Sequence, residues 1–156
     1  MSKNILIAFD ESENARRAVD AVSETFDRDT SITLFSVAMD TEALCKMNSP
    51  ELTPYFKAQQ SAFCGMEDRK RELVETAMQQ AKETLIRKGF KETNISTKNE
   101  PMKDGVAKDI ISEAEDGYDV VVIGRGGTSG IRDFLFGSTS QKVLNAARDV
   151  SVFIIK

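Results

Sequence analysis

The chain has 156 residues and no histidine, and this absence excludes several classes of enzyme. Without an imidazole there is no Ser-His-Asp or Cys-His nucleophile system and no histidine-bearing zinc site. Strong basic clusters are missing too, and the net charge is −4, with 21 Lys and Arg against 25 Asp and Glu. Proteins that bind nucleic acid use a basic surface to neutralise phosphates, so we expect no nucleic-acid partner.

Long apolar runs are absent as well. No stretch approaches the roughly 18 consecutive apolar residues that a membrane span requires, and the first residues show no signal-peptide pattern. We therefore expect a cytoplasmic protein with no membrane partner. Cysteine occurs only at Cys45 and Cys64, without a CxxC pair. Since cytoplasmic thiols stay reduced, we predict two free thiols rather than a disulfide.

What the sequence does contain is a regular alternation of apolar runs and helical patterns. Strands are predicted at residues 5–9, 32–38, 94–100, 119–123 and 150–155. Apolar residues recur at helical spacing in residues 15–26, 67–88, 106–114 and 143–147. In the second of these ranges the repeat of Leu73, Ala77, Ala81 and Leu85 predicts the buried face, and Gly89 is predicted as the C-terminal cap. Residues 39–66, which contain Pro50 and Pro54, are read as an irregular connection with at most a short helix at 58–63.

Five strands joined by helical connections predict the fold class. Right-handed crossovers favour an α/β protein with an open, doubly wound, five-stranded parallel sheet and helices on both faces. The length suits a single domain over residues 1–156. The polar composition of residues 94–100 predicts an edge strand.

A glycine-rich segment follows the strand that ends at Ile123. Five of the nine glycines lie between Gly124 and Gly137. In open α/β sheets, ligands bind beyond the carboxyl ends of the strands, and glycines let the backbone approach a phosphate. Gly137 and Ser138 open the next helix, whose N-terminus attracts an anion. Phosphate binding is thus favoured over a plain tight connection. The segment is neither a GxxxxGK[ST] loop nor a GxGxxG loop, which would need glycine at Ser129.

The spacing that fits is Gly124-x2-Gly127-x9-Gly137-Ser138. It resembles the G-x2-G-x9-G-[S/T] signature of ATP-binding universal stress proteins, and the first strand with its terminal Asp10 also looks like that family's opening strand. The resemblance implies an adenine nucleotide alpha hydrolase-like fold with strand order 3-2-1-4-5. It also implies ATP, or ADP or AMP, as the ligand, with Mg²⁺ accompanying the nucleotide.

By the same resemblance, four residues would hold the nucleoside. Ala8 and Phe9 would flank it, Asp10 would hydrogen-bond the ribose, and Val37 would meet adenine through its backbone. Asp10 is equally suited to the start of a helix, where aspartate is favoured, and the two roles are compatible.

The phosphate side would be formed by residues around the glycine-rich segment. The residues implied are Ile123, Gly124 and Gly127, which would line the ribose and phosphates, and Gly137, Ser138 and Thr139, which would hold the terminal phosphates. Arg125, where the family more often has a small residue, would either pair with phosphate or point to solvent. Ser138 also suits the N-cap of the last helix.

The residues favour binding over catalysis but leave three functions open. Phosphoryl transfer needs a group that positions or activates the attacker, and no convincing base is present, so we assign no catalytic residue. We expect an ATP-binding stress-response regulator with little or no turnover, acting on an unidentified protein partner. The alternatives are a slow ATPase or self-phosphorylating protein using Ser138, Thr139 or Ser140, and a dimeric interaction module that binds no nucleotide.

The last strand indicates an oligomer. The residues between Val150 and Ile155 are almost all apolar, and an apolar strand at a sheet edge invites pairing with another chain. Two such edges related by a two-fold axis cover each other. We therefore predict a homodimer through this strand, as the family resemblance also implies.

Overall fold

The structure is a computed structural model that describes residues 2–10, 12–47, 53–125 and 137–156. It contains a sheet of five strands, β1 (Asn4–Ala8), β2 (Ser31–Ala38), β3 (Ile95–Pro101), β4 (Val120–Gly124) and β5 (Ser151–Ile155). Every neighbouring pair is parallel and the order is β3-β2-β1-β4-β5. The predicted fold class and strand order are confirmed.

Helices cover both faces of the sheet. They are α1 (Glu13–Thr25), α2 (Glu42–Cys45), α3 (Pro54–Arg87), α4 (Val106–Ala114) and α5 (Ser138–Ala146). Buried residues of α1 and α3 pack with Ile5 and Ile7 on one face, and those of α4 and α5 pack with Leu6 and Val121 on the other. Successive strand residues point to opposite faces, so both faces need apolar side chains. This explains the unbroken apolar runs in β1 and β4.

The two edges of the sheet differ in character. β3 carries mostly exposed polar side chains, whereas the apolar residues of β5 are half-buried. Both edge positions agree with the sequence predictions. Among the described helices, none is long and apolar enough to cross a membrane.

Helix α3 corrects two predictions. Residues 39–66 were expected to be irregular and the helix to begin near Glu67, but α3 begins at Pro54 and runs without a break to Arg87. Pro54 occupies the first helical turn, where proline is tolerated, and the Thr53 hydroxyl accepts a hydrogen bond of 3.2 Å from the Phe56 amide. The proline therefore starts a helix rather than interrupting one.

The buried face of α3 is also rotated from the predicted one. Leu73 was placed on the apolar stripe but its side chain is 52% exposed, and Val74 and Met78 are buried in its place. Ala81 and Leu85 lie in the core as expected. Gly89 follows the helix with a φ of 102°, which confirms it as the C-terminal cap residue.

The prediction of two free thiols is wrong in this structure. Cys45 and Cys64 form a disulfide, with Cα atoms 5.9 Å apart. Because α3 extends back to Pro54, its first half runs beside α2, and the Gln60 side chain donates a hydrogen bond of 3.0 Å to the Met47 carbonyl. The two cysteines are thus brought together by a helix that the sequence pattern did not reveal.

Candidate functional site

A cleft of about 390 Å³ opens at the carboxyl edge of the sheet. The ends of β1, β2 and β4 form one part of its wall, and the first turn of α5 and the middle of α3 form the rest. Its position follows from the topology, since β1 and β4 lie side by side while their following chains leave toward opposite faces. This is where open α/β sheets bind ligands.

Most of the residues predicted to bind nucleotide line this cleft. They are Ala8, Phe9, Asp10, Val37, Ile123, Gly124, Gly137, Ser138 and Thr139. Arg125 is described but is not among the lining residues. Gly127, with the rest of residues 126–136, lies outside the described residues. The structure therefore gathers residues from four separate segments of the sequence at one opening.

Asp10 is held in place by the turn that leads into α1. Its Oδ1 accepts a hydrogen bond of 2.8 Å from the Ser12 amide and another from the Ser12 hydroxyl. Ser12 is the N-cap residue of α1 by position, but its side chain makes no capping bond because the hydroxyl is turned to Asp10. Both of these bonds go to Oδ1, and Asp10 lines the cleft.

Two hydrogen bonds join the end of β4 to the start of α5. The Gly137 amide donates to the Arg125 carbonyl at 2.9 Å, and the Ser140 hydroxyl donates to the Gly124 carbonyl at 2.5 Å. Arg125 is also fixed by its amide, which donates to the Ile155 carbonyl at 2.7 Å. These bonds set the first turn of α5 at the carboxyl end of β4.

The first turn of α5 presents donors to the cleft. The Gln141 amide donates a hydrogen bond of 3.0 Å to the carbonyl of Gly137, the N-cap residue, which closes the first turn of the helix. The amides of Ser138, Thr139 and Ser140 have no intrahelical acceptor, as at any helix start. Together with the helix dipole, they make this end of the cleft favourable for an anion.

Sequence reasoning missed the wall that α3 supplies. Glu67, Lys70 and Arg71 line the cleft from α3, and Asn99 lines it from β3. The helical periodicity of residues 67–88 gave the helix but not the face that meets the sheet edge. The polar composition of residues 94–100 likewise predicted an edge strand but did not mark Asn99 as a cleft residue.

The cleft carries charges of both signs. Asp10 and Glu67 are acidic and Lys70 and Arg71 are basic. In the part of the chain that the structure describes, no group of three or more Cys, Asp or Glu side chains is placed to hold a metal ion.

Several solved structures share the fold. The hypothetical protein MJ0577 superposes with a TM-score of 0.70 at 23% identity, covering 100% of this chain and 96% of that chain. UspA, a universal stress protein from Lactobacillus plantarum, gives a TM-score of 0.69 at 22% identity, covering 99% and 97%. A universal stress protein in complex with cAMP gives 0.63 at 14% identity, covering 99% and 96%. At these identities the likeness shows the fold alone.

Family membership is established by the sequence itself. No protein with a curated description matches the chain significantly. The profile of the universal stress protein family, in contrast, matches residues 1–156. The signature glycines, the strand order and the cleft at the carboxyl edge agree with that match. The chain belongs to the universal stress protein family.

Proposed function

We propose that this protein binds an adenine nucleotide, ATP foremost, in the cleft at the carboxyl edge of the sheet. It then acts as a nucleotide-dependent regulator in a stress response, with little or no turnover. The observation that carries the proposal is the meeting of Asp10, Val37 and the first turn of α5 at one opening. The other residues that the family resemblance implies for nucleotide binding, apart from Gly127 and Arg125, line the same cleft.

The phosphate end of the proposed site is the start of α5. The amides of Ser138, Thr139 and Ser140 are free of intrahelical acceptors and sit at the positive end of the helix dipole. The Ser138 side chain is exposed and the Thr139 side chain is half-buried, so both hydroxyls are available at the cleft. Gly124 has no side chain to obstruct a phosphate next to them.

The nucleoside end is formed by β1 and β2. Asp10 is oriented by Ser12 through Oδ1, which leaves Oδ2 to accept from a ribose hydroxyl. A carboxylate accepting from a hydroxyl makes a charge-assisted hydrogen bond, which is stronger than one between neutral groups. Val37 is half-buried near the end of β2, lines the cleft and would offer its backbone to a base.

The relative solved with cAMP supports the choice of ligand class, because cAMP is itself an adenine nucleotide. Mg²⁺ would accompany a bound triphosphate and would be held by phosphate oxygens. The described carboxylates form no cluster that would hold the ion alone, which fits a metal carried by the ligand.

The proposal is tested by identifying what the protein carries. The purified protein is heat-denatured and the released small molecules are separated by anion exchange. We expect adenine nucleotide from the wild type and much less from Gly127→Val and Ser138→Ala. Ser112→Ala, an exposed serine on α4, is the matched control and should retain the nucleotide. An empty wild type whose melting temperature does not rise with added Mg-ATP would overturn the proposal and favour a nucleotide-free interaction module.

We also propose that residues 1–156 form one domain that dimerises through β5 in the cytoplasm. β5 is an edge strand, and Val152 to Ile155 are only half-buried in one chain. A partner strand would cover the open backbone groups of this edge. Light scattering of the purified protein gives the mass, and cell fractionation gives the location.

A further inference from the structure

Asn99 stands beside the base end of the proposed nucleotide site. It is paired with Ser36 across β2 and β3, one residue before the Val37–Glu100 pair. Ile95, in the same strand, packs in the core cluster that contains α1 and α3. Because strand side chains alternate between faces, Asn99 shares the face of Ile95 and points to the side covered by α3.

The side-chain oxygen of Asn99 is buried without a partner. Its Oδ1 is shielded from solvent and accepts no hydrogen bond from any residue that the structure describes. Among the described residues, every other buried side-chain nitrogen or oxygen has a hydrogen-bond partner. Buried polar atoms are nearly always hydrogen-bonded, and leaving one unpaired is costly. Since Asn99 lines the cleft, a bound ligand is the natural source of the missing donor.

The distance across the sheet fits a nucleotide that reaches Asn99. Neighbouring strands lie about 4.8 Å apart, so β3 lies roughly 14 Å from β4. The start of α5 is anchored to the end of β4 by Ser140 and Gly124. A nucleotide with its phosphates at α5 and its sugar at Asp10 therefore extends its base toward β2 and β3.

We propose that Asn99 is a specificity residue that selects a purine with an amino group at position 6. This inference rests on the proposed nucleotide site. Oδ1 accepts a hydrogen bond from the 6-amino group, and the Nδ2 amide group donates to N7 of adenine, the ring nitrogen on the same edge of the base. An amide paired with adenine in this bidentate way discriminates against other bases. A purine with a 6-oxo group places a carbonyl oxygen against Oδ1, which leaves both acceptors unpaired.

The experiment compares Mg-ATP with Mg-ITP, which replaces the 6-amino group by oxygen and leaves the sugar and phosphates unchanged. Calorimetry gives the ratio of the two dissociation constants for the wild type, Asn99→Leu and Asn99→Asp. We expect the wild type to prefer ATP by about tenfold or more. Leucine has nearly the same size and no acceptor, so Asn99→Leu should bind the two nucleotides about equally.

Asn99→Asp separates base selection from a structural role. A carboxylate still accepts from a 6-amino group and repels a 6-oxo group, so this variant should keep its preference for ATP. Its affinity for both nucleotides should fall, because the carboxylate has no N–H to donate to the base and adds a negative charge to a site that binds an anion. Asn145→Asp, the same change at an exposed residue on α5, is the matched control and should leave the ratio at the wild-type value.

Two outcomes would overturn the inference while leaving the proposed function intact. One is a wild type that binds ATP and ITP equally well. The other is an Asn99→Leu variant that keeps the wild-type ratio and only melts at a lower temperature, as expected if a nearby side chain such as Lys70 or Arg71 supplies the donor. A wild type that binds neither nucleotide overturns the proposed function itself.

Discussion

The hydroxyl of Ser140 donates a hydrogen bond of 2.5 Å to the carbonyl of Gly124 and so ties the first turn of α5 to the end of β4. Ser140 is buried, and the Gly137–Arg125 backbone bond of 2.9 Å lies beside it. The two ends of the glycine-rich segment are thereby held together. The amides proposed to bind phosphate keep a fixed position relative to the sheet.

Ser140→Ala should lower both stability and nucleotide affinity. The substitution leaves the Gly124 carbonyl without its donor, at a cost of about 1 kcal/mol in the free energy of unfolding. The first turn of α5 is then less firmly placed, and ATP binding should weaken several-fold. Urea denaturation and calorimetry measure the two effects, with Ser112→Ala as the control. Unchanged stability would show that the bond contributes nothing.

Asp10→Ala should weaken ATP binding strongly while leaving the fold intact. Hydrogen bonds to charged groups contribute about 1.5 to 3 kcal/mol, so we expect a loss of about tenfold or more in affinity. Glu24→Ala removes an exposed carboxylate at the far end of α1 and should leave the dissociation constant unchanged. If both variants bind ATP like the wild type, Asp10 acts only in the turn with Ser12.

Reducing the Cys45–Cys64 disulfide should loosen α2 from the first half of α3. The bond closes a loop with a sequence separation of 19, and in the chain-entropy account a loop of this size contributes about 3 kcal/mol. We expect the melting temperature to fall on adding a dithiol, and the double variant Cys45→Ser with Cys64→Ser to show the lower value without it.

Thiol trapping in intact cells tests how the disulfide agrees with the expected cytoplasmic location, where thiols are kept reduced. Rapid alkylation followed by mass spectrometry gives the fraction of each cysteine that is free. A fully alkylated protein would mean that the bond is not formed in the cell, and a protected pair would mean that the environment is oxidising or the bond is resistant.

The ion pair between Lys98 and Glu113 should give stability a dependence on alkaline pH. The hydrogen bond to Glu113 raises the pKa of Lys98 above its ordinary value of 10.5, against the opposing effect of burial. Since the pKa is higher in the folded state, the contribution is complete below pH 10.5 and is lost as pH rises through the higher folded value.

The expected size of this effect is small. The Lys98 side chain is 44% exposed, so solvent screening limits the contribution to less than about 1 kcal/mol. Lys98→Met should therefore be slightly less stable than the wild type at pH 8, and the difference should shrink above pH 10.5. Lys108→Met, an exposed lysine on α4, should show no such trend in urea denaturation.

Disruption of the β5 edge should separate the proposed dimer. Ile154→Asp places a charge on a half-buried residue of the edge strand, where pairing with a second chain would exclude water. Light scattering should show a monomer, and circular dichroism checks that the sheet remains. Leu144→Asp, on the exposed side of α5, is the control and should remain dimeric. A monomeric wild type would contradict the prediction.

The sequence predicted the residues at the proposed phosphate end of the cleft better than the residues of its other walls. Gly124, Gly137 and Ser138 were predicted to lie at the site because the family signature joins them by a short, local spacing, and all three line the cleft. Glu67, Lys70 and Asn99 were missed because no local pattern marks a polar residue that meets the cleft only through packing. Arg125, which the signature brackets, contributes through its backbone bonds to Gly137 and Ile155 and does not line the cleft.

The sequence by itself determined the five strands and most of their helical connections, since apolar runs and helical periodicity are properties of neighbouring residues. The order of the sheet was implied by the resemblance to a known family. The start of α3 is also a local feature, since Thr53 caps the helix and proline is favoured in its first turn, although Pro54 was read as a break. The tertiary structure alone decided which face of α3 is buried. It also decided the pairing of Cys45 with Cys64 and the burial of the Asn99 oxygen beside the cleft. These depend on contacts between distant segments, which form only when the helices pack on the sheet.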